Sequence, residues 1–384
     1  MARQSPLIER LAEIEPTLLG YGPAELAIPV IESFGELEFE YAALRRSAAL
    51  IDQPQRGTIE LLGRDAIDFL NRMFTQKLSG LAPGASRCSF WLNRQGRIVA
   101  DVRVLLLDDL VLLDVDAHVV ASVVESLGSY LFAEDVELLD ATDRWHRLGL
   151  HGPDAPRLLE VAGGTPPPKP DSCCKMDLAG STVIVDRWDR AGEPGFELSL
   201  HTDDALTVWH ALHDAAEKAD IRLRPIGWHA FNIARIEAGT PQFMLDFGPD
   251  SLPAETTLVD SRISMTKGCY LGQEIVARMH NLGHPKQRLV ALRFDEPKTL
   301  GDFQPVTGVE VLSPHEPHEA VGAVTSSTIS PMLGGEPVCF AMMRWSHAKA
   351  GTSVAIRTGS GLIGATVQER LRFWPRTEQA SQSE

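Results

Sequence analysis

The sequence predicts an α+β protein whose C-terminal part is mostly β, and three observations carry that reading. Between Arg56 and Val115 the runs GTIELLG, RCSFWLN, GRIVADVRVLLL and LVLLDV have strand composition, and the turn formers GAS, NRQG and DD separate them. Helical patterns stand among the strands without strict βαβ alternation. From Lys286 onward QRLVALRF, GVEVL, EAVGAVTSS, EPVCFAMMR, TSVAIRT and LIGATVQER are short alternating segments with turns between them, the pattern of a small barrel or sandwich.

Taken in order, MARQSPLIERLAEIEPTLLG reads as an amphipathic helix, followed by a loop at Gly20 to Pro23. After the strand-rich region a helix starts near Ala117 and runs through HVVASVVESLGSYLF, with a strand at Val136 to Leu139. VAGGTPPPKPDSCC, Val161 to Cys174, holds four prolines and two glycines and forms an exposed loop. Then come the strand STVIVDRW, the turn-containing GEPGFELSL, helices from about Asp203 to Lys218 and about Trp228 to Ala238, and a loop from Gly239 to Thr257. A further helix spans about Leu271 to His280. The implied division is an N-terminal helix and linker (1–40), two α+β domains (41–150 and 151–285), a β domain (286–374) and a disordered polar tail (375–384).

Composition narrows the function. The chain has 384 residues, with 36 Lys and Arg against 52 Asp and Glu, and its net charge of -16 repels phosphate backbones and anionic lipid. Nucleic-acid and membrane partners are therefore not expected. Five cysteines without a C-x-x-C pair suit a reducing compartment. Glu9, Glu13 and Glu15 interrupt any secretion signal, and Asp108, Asp109, Asp114 and Asp116 break the most apolar run, Val102 to Val124. The expectation is a cytoplasmic protein.

Several motifs are weighed and set aside. GSGLIG, Gly359 to Gly364, matches the dinucleotide fingerprint but lies between two strand patterns, so it reads as a hairpin turn. His280 with His284, and His315 with His318, lack the further ligands of a metal site, so none is expected. Cys173 and Cys174 read as two unrelated thiols.

Two regions carry chemistry. Cys269 precedes a helix and follows Lys267 by two residues, a setting that favours thiolate; a buried small residue in a tight turn is the other reading. From Ser261 to Arg293 six bases (Arg262, Lys267, Arg278, Lys286, Arg288, Arg293) face one acid, Glu274. That excess suits a small polyanion or an acidic partner; an i,i+4 pair of Glu274 with Arg278 among solvated bases accounts for it equally. In ARIEAGTP, Glu237 sits at a helix C-terminus that disfavours an acid; a planar heterocycle such as a pterin, held bidentately, is one partner that accounts for it, and a surface glutamate near Arg235 is the other reading.

These strings together resemble a known family. KGCYLGQEIVAR, Lys267 to Arg278, is similar to the signature of the YgfZ-type folate-binding proteins, which themselves resemble the glycine-cleavage T-protein, a tetrahydrofolate-dependent aminomethyltransferase. LLGRDAIDFLNRMFTQ, NRQGRIVADVRV, GEPGFELSL, ARIEAGTPQFMLDFGPDSLPAE and GAVTSSTISPMLGGEPVCFAMMR extend the likeness from Tyr41 to Leu371. The resemblance implies three domains in a ring around a central folate site. It implies Asp101 near the folate's reactive nitrogens, Arg235 and Glu237 at the pterin, and Asp116 at a folate-contacting position. Tyr270, Gln273 and Arg278 of the signature are counted with the folate contacts, with Lys267 and Arg278 as positive charge for the tail or a partner. Cys269 is the reactive thiol, and Cys269, Asp101 and Lys267 form the implied catalytic set. Ala100 stands where T-proteins carry the first aspartate of an Asp-Asp pair. The implied role is a tetrahydrofolate-binding accessory factor for iron–sulfur client or assembly proteins; the alternative is a folate-dependent aminomethyltransferase or related one-carbon transferase.

Overall fold

The computed structural model describes residues 3–297, 303–316, 318–358 and 361–374. The chain divides into two compact units: the first is built from residues up to Asp189, Glu193–Phe231 and Gly248–Pro285, the second from Arg190–Gly192, Asn232–Phe247 and the residues from Lys286 on. The fold is mixed α+β with a closed six-stranded barrel, as expected.

The first unit holds two sheets. A five-stranded sheet orders Ser86–Leu92, Ile98–Leu106, Val111–Asp116, Arg56–Leu62 and Glu137–Asp140. A six-stranded sheet orders Cys173–Leu178, Ser181–Arg187, Gly195–His201, Trp145–His151, Ala48–Asp52 and Leu223–Ile226. One face of the latter buries Leu50, Leu148, Leu150, Phe196, Leu198 and Leu200 against helices Ala155–Ala162 and Ala205–Ala219, whose apolar stripes supply Leu158, Val208 and Leu212. Its other face meets the five-stranded sheet through Leu105, Leu112, Trp145, Cys173 and Ile184.

Both faces of the inner strands of the six-stranded sheet are thus covered, and the polar residues Arg147, His151, Asp186, Glu197 and Ser199 that alternate with core positions there are buried too. Arg103 on the five-stranded sheet reaches Asp186 on the six-stranded one with Nε and NH2, each at 2.8 Å, and also donates to Asp171 and Ser86. Gln53 donates to Glu197 at 2.6 Å.

The second unit is the barrel. Its strands Gln287–Phe294, Glu310–Leu312, Ala320–Ser330, Glu336–Arg344, Ser353–Thr358 and Gly361–Val367 enclose Val290, Leu292, Val324, Cys339, Ala341 and Ile356.

Some expectations need correction. The N-terminal helix is only Ile8–Ala12; Pro16 bars its continuation, and Thr17–Tyr21 instead pairs antiparallel with Ile28–Ser33. A helix, Ala66–Met73, interrupts the region read as strands, because the apolar spacing of Ala66, Phe69 and Leu70 is helical. The helix after Ala117 is a 3-10 turn followed by Val120–Gly128, ending at the glycine. Around GSGLIG the flanking strands pair antiparallel with Thr358 opposite Gly361, while Gly359 and Ser360 lie outside the described residues, as does the tail 375–384. Among the described residues no helix is long and apolar enough to cross a membrane.

Candidate functional site

Asp101 lies on strand Ile98–Leu106, opposite Phe90 of the neighbouring strand. Its carboxylate accepts from Arg262 Nε at 2.9 Å and NH2 at 3.4 Å, with the two side chains 13% and 9% exposed respectively. Burial opposes the charge on Arg262, but Asp101, by attraction and hydrogen bond, together with Cys88, raises its pKa above the usual value. Arg262 closes the short helix Val259–Arg262, and its carbonyl accepts from Thr75 Oγ1 at 2.7 Å. Thr75 Oγ1 also accepts from Phe90 N at 2.9 Å, so one hydroxyl ties the arginine's backbone to the strand opposite Asp101.

Lys267 secures the turn that carries Thr75. Its ammonium donates to the carbonyls of Asn71, Phe74 and Gln76, at the C-terminal end of helix Ala66–Met73, where carbonyls lack partners and a cation is favoured. The Tyr270 ring lies 5.2 Å from its Nζ. All three ammonium donors are used and the residue is buried, which corrects the expectation of an outward charge for a ligand tail or partner. Burial also pushes the Tyr270 hydroxyl up to about 12.

Burial pulls the Lys267 pKa down from 10.5 to about 8. Between those values the unfolded chain holds a proton that the folded chain has released, so stability rises with pH across that window. Lys267→Met lacks this rise and leaves three carbonyls unpaired, at a cost of about 2–4 kcal/mol near neutral pH. Urea denaturation of both proteins at about pH 7.5 and about pH 10 reads both effects; parallel pH dependence in the two would contradict the lysine's assignment.

Elsewhere in the KGCYLGQE segment Gly268, Cys269 and Glu274 are exposed and Leu271 is half-buried. Cys269 is exposed and free. Gly272 precedes helix Gln273–Leu282 with φ of +80°, and a Cβ there would meet Asn93 O at 2.9 Å, so glycine allows the NRQG turn to approach. Gln273 is half-buried and Arg278 exposed. Among the described residues Glu274 and Arg278 form no ion pair within 4 Å.

The remaining expected contacts are committed internally. Asp116 is buried, accepting from Tyr21 Oη and from His118 N at 2.9 Å. In the second unit, Arg235 is 1% exposed and donates to Asn232, Thr240 O, Asp246 and Ser326. Glu237 is buried and accepts from Ser330 Oγ and Met332 N. The partner that its place at a helix end called for is thus a barrel-strand serine. Sequence reading missed Arg262 as the partner of Asp101, and it missed Glu197. The signal for Glu197 is the alternation in GFELSL, with Phe196, Leu198 and Leu200 in the core and Glu197 on the opposite, equally covered face.

Residues 27–267 match the family model described as the GCVT N-terminal domain, and residues 287–373 match the glycine cleavage T-protein C-terminal barrel domain. The chain belongs to the glycine cleavage T-protein family. This T-protein family member is 26% identical over 371 residues to the aminomethyltransferase of Bacillus subtilis (strain 168), covering 96% of this chain and 98% of that one. It is 27% identical over 386 residues to the aminomethyltransferase of Anoxybacillus flavithermus (strain DSM 21510 / WK1), covering 98% and 100%. The crystal structure of glycine cleavage system aminomethyltransferase T from Bartonella henselae shares the fold, with a TM-score of 0.83 at 21% identity over 96% of this chain and 97% of that one.

Proposed function

We propose that this chain binds a reduced folate and acts as a folate-dependent one-carbon transferase of the aminomethyltransferase class. The observation that carries the reading is the Asp101 carboxylate, partly exposed yet fixed by the buried Arg262. Relatives named aminomethyltransferase that match nearly the whole chain support it.

The residues fit a folate in part. A pterin offers donor nitrogens that a carboxylate accepts, which suits Asp101. The exposed Arg278 suits an anionic tail. Arg235, Glu237 and Asp116 act as framework, holding the barrel unit and the Tyr21 strand. Tetrahydrofolate, when bound, supplies the amine that accepts the one-carbon unit. Asp101 orients that amine and takes its proton, and Arg262 keeps the carboxylate aimed. The free cysteines suit a reducing, cytoplasmic setting.

One observation favours a second reading. Cys269 stands exposed in the Lys-Gly-Cys-Tyr turn, as a thiol meeting another protein would. In this reading the chain binds folate without turnover and supports iron–sulfur proteins; one cysteine does not hold a cluster alone, so any cluster is shared or in transit.

Transfer from an aminomethylated lipoyl carrier to tetrahydrofolate separates the two. The transferase reading expects methylene-tetrahydrofolate to form in wild type and in Cys269→Ser alike. Folate binding without product, together with loss of iron–sulfur enzyme activity in cells carrying Cys269→Ser, would establish the accessory role instead.

A further inference from the structure

Strand Ser86–Leu92 is the outer strand of the five-stranded sheet, so the backbone groups on its free side need partners from outside the sheet. At Phe90, directly across the ladder from Asp101, Thr75 supplies them. Thr75 N donates to Phe90 O at 3.2 Å, and Phe90 N donates to Thr75 Oγ1 at 2.9 Å. On its other side Thr75 meets the segment that carries the partner of Asp101. Its hydroxyl donates to Arg262 O at 2.7 Å, and its carbonyl accepts from Ser264 N at 3.0 Å. Thr75 thus stands as a rung between the edge strand and Arg262–Ser264.

Thr75 is buried completely, and a hydroxyl has one proton and two lone pairs to place. The proton goes to the arginine's carbonyl, and a lone pair takes the Phe90 N–H; the Ser89 hydroxyl lies 3.2 Å away. Two things set the Asp101 carboxylate: its own strand, in register with Phe90, and Arg262 Nε at 2.9 Å. Both are referred to the same hydroxyl. Lys267 fixes the chain on either side of it, through the carbonyls of Phe74 and Gln76. Valine has threonine's shape but neither donates nor accepts. A valine here leaves a buried N–H at Phe90 and a buried carbonyl at Arg262 unpaired, and it frees the arginine's main chain from the strand without altering the ion pair itself.

We propose that Thr75 is a positioning residue, whose hydroxyl sets where Arg262 holds the Asp101 carboxylate. It acts through Arg262 and Phe90 and not on a substrate. The consequence for the chemistry rests on the reading of Asp101 as the group that takes the amine's proton; the placement of the ion pair does not. A shift of about 1 Å between a base and the proton it takes lowers the rate by as much as about 10²-fold, while binding of the ground state changes far less.

Thr75→Val, Thr75→Ser and Ser89→Ala in the full chain test it. In proton–nitrogen correlation spectra the Arg262 Nε–H, identified by its absence from Arg262→Lys, is expected to exchange with solvent at least about tenfold faster in Thr75→Val than in wild type, and within about threefold of wild type in Thr75→Ser. In steady-state transfer Thr75→Val is expected to lower kcat by about 10–10²-fold with KM for tetrahydrofolate within about threefold, and Thr75→Ser to recover most of the loss. Ser89→Ala removes a neighbouring buried hydroxyl that accepts from Gln76 N, and is expected to stay within about twofold of wild type. Thr75→Ala takes the place of the valine variant if that does not fold. Wild-type exchange of the Arg262 Nε–H in a folded hydroxyl-free variant overturns the proposal, as does wild-type kcat in that variant of a chain that transfers. A loss that serine does not recover, or an equal loss in Ser89→Ala, overturns it too. Absence of transfer in wild type would overturn the transferase reading alone, and the exchange measurement then decides the role of Thr75.

Discussion

Arg103→Met is expected to destabilise the first unit by about 3–5 kcal/mol in urea denaturation. Arg103 and Asp186 are 1% and 0% exposed, so the pair has left water completely. Removing the cation leaves a buried carboxylate with only the Ser86 hydroxyl among its described side-chain donors, together with a Ser86, an Asp171 and an Arg187 carbonyl that each lose a bond to the arginine. The cost is therefore that of an uncompensated buried charge rather than of one hydrogen bond. The double variant Arg103→Met, Asp186→Leu removes both charges and is expected to recover most of the loss, because an apolar pair of similar volume replaces an ion pair whose desolvation was costly. A double variant as unstable as the single one would show that the guanidinium's other contacts, and not the charge, hold the two sheets together.

Asp101→Asn is expected to lower one-carbon transfer by about 10²–10⁴-fold while changing folate affinity far less. An amide keeps the shape and one acceptor oxygen, so a bound heterocycle retains its place. It loses the charge that takes a proton, and it leaves Arg262 buried without a counter-charge. The variant is thus also expected to be less stable by about 1–3 kcal/mol, and a companion Arg262→Met, Asp101→Asn restores stability without restoring transfer. Transfer at the wild-type rate in Asp101→Asn would remove Asp101 from the chemistry. Loss of folate affinity as large as the loss of rate would make it a binding residue only.

How much of this was legible in the sequence depended on which interactions are local. The barrel followed from period-two alternation after Lys286, and the long helices from apolar spacing, because each depends on neighbours a few residues away. The N-terminal strand was hidden because LIERLAEI has helical spacing, and only its pairing with Ile28–Ser33 reveals where the helix stops. Asp101 was legible as a candidate through its motif, but its partner Arg262 is 161 residues away and no local pattern couples them. Glu197, Arg147 and Ser199 alternate with core leucines and so read as solvent-facing; they are buried because a second sheet covers that face. Lys267 was read for its charge and not for its reach. A four-carbon stem let its ammonium turn inward to three carbonyls at a helix end.

Anaerobic calorimetric titration of the full chain with tetrahydrofolate decides whether a reduced folate binds here. Saturable binding at one site per chain is expected, weakened when Arg278 is replaced by alanine and little changed in Cys269→Ser. A titration that shows no saturable heat with tetrahydrofolate or its methylene and formyl forms, on protein shown to be folded, would contradict it: the chain would then keep the T-protein fold without its ligand.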